Sequence, residues 1–94
     1  MDSFGSKDLS DSLIRLSYTK KTDNSYVSNL VPLNSDMVFG FIDSDLNCSI
    51  HTIDDEGVST IFRDKGLDLK ECKIKIRSNM EKVGVIFKDE VRNV

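Results

Sequence analysis

The stretch "MVFGFIDSDLNCSIHTIDDEGVSTIF", Met37 to Phe62, decides the fold. Its first segment, "MVFGFI", is the longest apolar run in the chain. It reads as a strand buried on both faces and the centre of the core, with Gly40 marking a bulge or a close backbone approach. "CSIHTI", Cys48–Ile53, and "VSTIF", Val58–Phe62, follow as two further strands around "DDEG", where Gly57 suits the left-handed position that closes a hairpin loop.

Between the first two strands, "DSDLNCSIHTIDD", Asp43 to Asp55, has the outline of an EF-hand calcium loop. Asp43, Asp45 and Asn47 fall at ligand positions 1, 3 and 5, and Ile50 at the aliphatic position 8. Cys48 replaces the glycine of position 6, however, and Asp54 the bidentate glutamate of position 12. Those changes remove the sharp turn and a two-oxygen ligand. With strands on both flanks, the loop reads as a hairpin turn, which Asp and Asn favour.

Working outward, the same period-2 template finds four more candidate strands, seven in all. Ser12–Thr19 places Ile14, Leu16 and Tyr18 on one face. Ser25–Leu33 aligns Val27, Val31 and Leu33 and holds Pro32, which marks a strand end or sheet edge because it has no N–H to donate. "DKGLDLKE" after Arg63 allows a loop or one helical turn. "KIKIR", residues 73–77, then alternates with Ile74 and Ile76 inward and Lys73, Lys75 and Arg77 outward. The turn "SNMEK" leads to a last strand, "KVGVIFK".

Composition agrees with this pattern. The 94 residues are 38% hydrophobic and 31% charged and contain no Ala, Gln or Trp, so strong helix formers are scarce while β-branched residues recur. The expected fold is a mostly β domain over residues 11–94, a small antiparallel β-barrel or two-sheet sandwich of six to seven short strands in an SH3-like meander, with residues 1–10 as a flexible tail. The same bias follows from AT-rich coding, which small phage proteins often show.

The opening "MDSFGSKDLSDS" lacks the basic and apolar regions of a secretory signal, and no apolar run approaches a membrane span, so the expected location is the cytoplasm. Cys48 and Cys72 are too few for a disulfide framework or a zinc site and read as reduced, partly buried thiols. The single His51 shares a strand face with Ser49 and Ile53. No nucleophile elbow, dinucleotide fingerprint or phosphate loop accompanies it, so neither an enzyme nor a cofactor is expected.

Charge is unevenly divided. Residues 1–61 hold ten acids and four bases, a net of −6; residues 62–94 hold nine bases and six acids, a net of +3. The outward face of "KIKIR" concentrates the positive charge, a stripe that suits phosphates or an acidic protein. The acidic pI near 5.0 weighs against non-specific nucleic-acid binding.

"LIRLSY", "LVPL", "DMVFGFID" and "TIFR" follow one another in an order that resembles WYL domains, SH3-like small barrels with an I-x-Y strand, a V-x-P segment, the strand bearing the Trp-Tyr-Leu triplet and an F-R pair. The resemblance spans residues 13–67, with Met37, Val38 and Phe39 at the triplet and Lys65 where an aspartate is usual. It implies a ligand- or nucleic-acid-sensing module in which Arg63 takes the binding role of the family's arginine.

Two readings follow. The first is a non-catalytic regulator or inhibitor, encoded by a phage or other mobile element, that binds a protein partner through a charged sheet face or an exposed edge, with a homodimer through sheet edges as one form. The alternative is a WYL-like module sensing a nucleotide or nucleic acid through Arg63, Lys73, Lys75 and Arg77, with Tyr18 or Tyr26 for stacking.

Overall fold

The structure, a computed structural model, describes residues 14–88. Six strands form one antiparallel sheet: β1 (Tyr18–Lys20), β2 (Tyr26–Ser28), β3 (Val31–Leu33), β4 (Asp36–Ile42), β5 (Asn47–Asp54) and β6 (Gly57–Lys65). Their order is β1-β2-β4-β5-β6, with β3 pairing the first half of β4. One helix, α1 (Leu69–Val83), packs on the sheet through β5 and β4. The domain is mostly β, as the composition implies. The expected boundary near residue 10 lies outside the described residues, as do Ser12 and Leu13 of the first candidate strand.

Five of the seven candidate segments fall on strands, and both central hairpins form. Asp43 closes the β4–β5 turn by accepting from the backbone N–H groups of Asp45 and Asn47, each at 2.9 Å, and from the Asn47 side chain at 3.0 Å. Its carboxyl is thereby held below the ordinary range, first by the Asn47 side chain. The carboxylate that headed the calcium pattern is the lock of a hairpin. Gly57, at φ 123°, closes the β5–β6 turn.

The Ser25–Leu33 segment is broken in two. β2 pairs Val27 with Phe41, whereas β3 pairs Val31 with Val38, so Asn29 and Leu30 together stand opposite Phe39 in a β-bulge. The ladder bond lost there is replaced by a side chain: the Gly40 N–H donates to Ser28 Oγ at 2.7 Å. Pro32 lies on β3, which among the described strands pairs with β4 alone, an edge position that suits its missing N–H.

The last two candidate strands are corrected. "KIKIR" lies inside α1, and "KVGVIFK" spans the helix end and a segment after it that is neither helix nor strand. Local signals for a helix win over the two-residue alternation. Asp68 caps the first turn by accepting from the Glu71 N–H at 2.8 Å, while Glu71 accepts from the Leu67 N–H at 2.7 Å. Gly84, at φ 122°, ends the helix, and the Val85 N–H reaches back to the Met80 carbonyl at 3.0 Å. Cys72, Ile76 and Met80, spaced by four, form its buried row. Ile74, expected inside, is 56% exposed.

The core is the space between this row and one face of the sheet, where Val31, Val38, Ile42, Cys48 and Ile50 are buried. Its tightest point is Gly40. A Cβ there would lie 2.7 Å from Ile76 Cγ2, so the helix can seat only because β4 has no side chain at that position. Cys48 and Cys72 are free and fully buried in this layer, and burial pushes the Cys48 thiol up to about 11.

Gly40→Ala is expected to cost about 1–3 kcal/mol by overpacking. Ile76→Ala should cost about 2–5 kcal/mol in the natural chain and measurably less in the Gly40→Ala background, because the two sites share one contact. Ile74→Asp should cost under about 1 kcal/mol. Urea denaturation of the four variants checks this; strict additivity of the Gly40 and Ile76 changes would show that the helix is seated elsewhere.

Candidate partner-binding face

Strand alternation dictates what lies on the other side of the sheet. With Val38, Gly40 and Ile42 facing α1, their neighbours Met37, Phe39 and Phe41 face away. The expectation that "MVFGFI" is buried on both faces therefore fails: burial is complete on the helix side and partial on the other. Register brings Ile53, His51 and Ser49 of β5 opposite Met37, Phe39 and Phe41. Val58, Thr60 and Arg63 of β6 then lie opposite Ile53, His51 and Ser49, with a bulge at Ile61. Val27 of β2 lies opposite Phe41.

At the middle of this face the Phe39 and His51 rings stack, with centroids 5.1 Å apart and planes at 26°. His51 Nε2 is 2.8 Å from Ser49 Oγ, and Nδ1 is 3.0 Å from Thr60 Oγ1. Either neutral tautomer can satisfy both bonds, since one ring nitrogen donates while the other accepts and the hydroxyls take the complementary roles. Burial lowers the imidazole's pKa from its ordinary value, and the Arg63 charge lowers it further. Both effects favour the neutral imidazole. Thr60 stands where a catalytic triad places an acid, so a hydroxyl rather than a carboxylate orients the ring. A hollow of about 350 Å³ adjoins it, lined by Phe41, Asp43, Asn47, Ser49 and Arg63.

The five residues singled out in the sequence do not form one stripe. Arg63 lies on this uncovered face. Lys75 bridges α1 to β6, with Nζ 3.1 Å from Asp64 Oδ2 and donating to the Lys65 carbonyl at 2.8 Å. Its pKa is raised first by that Asp64 bond. Tyr18, Lys73 and Arg77 meet on the helix side, lining a groove between the approach to β1 and α1. Lys73 Nζ lies 5.1 Å from the Tyr18 ring centroid and Arg77 Cζ 4.3 Å from that of Phe87. The Tyr18 hydroxyl is buried without a hydrogen-bond partner and its pKa is raised, mainly by that burial. Only its ring is open to the groove.

Sequence reasoning missed Met37, Phe39 and Phe41 as surface residues. The usable signal was the alternation of "CSIHTI": a partner strand carrying Ser49 and His51 on one side cannot bury the strand beside it on that side. Compared with protein-family models, curated proteins and solved structures, the chain matches none.

A depressed histidine pKa fixes a direction of pH dependence. The folded chain holds the His51 proton less tightly than the unfolded one, so the stability due to neutral His51 is present above about pH 6.5 and is lost as pH falls through the lowered folded value. The urea midpoint should therefore drop between about pH 7.5 and about pH 5, and His51→Gln should flatten that slope. An unchanged slope in the variant would mean that the imidazole is not held neutral.

Proposed function

We propose that the chain is a non-catalytic, protein-binding regulator or inhibitor acting in the cytoplasm, and that the uncovered sheet face is its binding surface. One observation carries this reading. Val27, Met37, Phe39, Phe41, Ile53 and Val58 lie together on a face that no described element covers, with Arg63 the one charge among the central pairs. Aromatic residues, Met and Arg with few Lys, Asp or Glu are what the buried centre of a protein interface contains.

The Phe39–His51 stack favours a second reading. A stacked pair beside a guanidinium suits a base on the rings and a phosphate on Arg63, the nucleotide or nucleic-acid sensing that the WYL resemblance also implies. Among the described residues no helix is long and apolar enough to cross a membrane.

Affinity capture with the tagged chain, before and after nuclease, compared with a Phe39→Ser/Phe41→Ser variant of matched melting behaviour, tests both. Under the first reading a protein partner survives nuclease and falls at least about tenfold with the variant, as expected for loss of central anchors. Light scattering on the purified chain identifies a second copy as that partner. Capture that depends on nucleic acid transfers the face to the second reading, and capture indifferent to the variant removes the face from the function.

A further inference from the structure

The sheet has a free edge on its other side, beside the basic groove. β1 is the end of the sheet, and among the described residues no strand pairs with its outer edge. Ser17 and Lys21 bond inward: the Ser17 carbonyl accepts from the Asn29 N–H at 3.0 Å, and the Lys21 N–H donates to the Ser25 carbonyl at 2.7 Å. Antiparallel alternation then turns the backbone N–H and C=O groups of Tyr18 and Lys20 outward.

Next to that edge runs the groove of about 620 Å³ between residues 16–18 and the outer side of α1. Leu16, Tyr18, Leu69 and Ile74 give it an apolar floor, and Lys70, Lys73 and Arg77 rim it. No acid lines it. Arg77 is partly balanced by Glu81 at 3.8 Å, but Lys70 and Lys73 have no carboxylate within ion-pair distance among the described residues. Lys73 instead lies over the rings of Tyr18 and Tyr26. In a chain of net charge −3 this is a local reversal of sign.

We propose that this edge and groove form a second binding site, which takes an extended acidic peptide of a partner protein by strand addition to β1. Backbone pairing with Tyr18 and Lys20 holds the peptide, alternate apolar side chains rest on Leu16, Leu69 and Ile74, and its acids meet Lys70 and Lys73. Two free residues offer few backbone bonds, so charge and apolar contact supply most of the affinity, and binding weakens as salt rises. The site is on the opposite side of the sheet from Phe39 and Phe41 and stands whatever that face binds.

The test is fluorescence anisotropy of the full chain with a labelled peptide of sequence Glu-Val-Asp-Ile-Glu-Val-Asp, alongside the same peptide N-methylated at alternate residues and a version with every acid replaced by Lys. The expected result is saturable binding with a Kd between about 1 μM and about 1 mM. It should fall at least about tenfold with Lys70→Glu/Lys73→Glu, at unchanged melting temperature, and similarly with either altered peptide. Binding should survive Phe39→Ser/Phe41→Ser. No saturable binding, equal binding of the N-methylated peptide, or indifference to the lysine changes would overturn the proposal.

Discussion

The contact between Ile76 and Gly40 is the constraint on which the rest of the structure depends. A helix lying on a sheet is normally held off by side chains on both. Here the central strand has none at the crossing, and the Ile76 branches enter the space that a Cβ at residue 40 would occupy. The close approach lets one row of helix residues, Cys72, Ile76 and Met80, seal Val38, Ile42, Cys48 and Ile50 from water. Gly66 repeats the device at the helix entrance, where a Cβ would lie 2.5 Å from Cys72 Sγ. One helix can cover one face. Among the described residues, the other face is left uncovered as a consequence of how the core is built.

Gly40 also lies beside the β-bulge. Two residues against Phe39 twist the ladder, and Ser28 Oγ replaces the missing acceptor for the Gly40 N–H while donating to the Asn29 carbonyl at 2.8 Å. Its buried hydroxyl both donates and accepts, which explains a polar side chain 7% exposed at the margin of an apolar layer. The bulge divides one sequence segment into β2 and β3 and leaves β1 to pair with β2 alone. A three-residue edge strand follows from that division, and with it the exposed backbone groups at Tyr18 and Lys20.

How much of this was legible in the sequence depends on which period a segment obeys. The hairpins around Asp43 and Gly57 were readable because turn chemistry and alternation agree there. "KIKIR" was misleading because five residues of alternation fit a strand, while the helix announces itself only over a longer window: Asp68 and Glu71 as caps, the Cys72, Ile76, Met80 spacing, and Gly84 as the stop. The scarcity of Ala and Gln biased the reading the same way, although Leu, Lys, Glu, Arg and Met supply ample helix propensity in residues 69–83. Of the candidate residues, Arg63 directly follows the expected strand Val58–Phe62 and lies within β6, which runs on to Lys65. Its separation from Lys73 and Arg77 could not be seen without knowing that the chain crosses the sheet between them.

That separation changes the meaning of the charge asymmetry. The basic second half of the chain suggests one phosphate-binding stripe, yet folding distributes its cations by local need: Lys75 to Asp64, Lys73 to two tyrosine rings, Arg77 to Phe87, Arg63 to the far face. The two faces become chemically distinct as a result. Around Phe39 burial disfavours a charged imidazole, which leaves Arg63 as the one charge among the central pairs that a partner would have to cover. Beside β1 the uncompensated lysines rim an apolar floor, and a neutral partner covering them would bear the full cost of stripping water from unpaired cations. The same physics suits a largely apolar partner to the proposed face and an acidic one to the proposed groove.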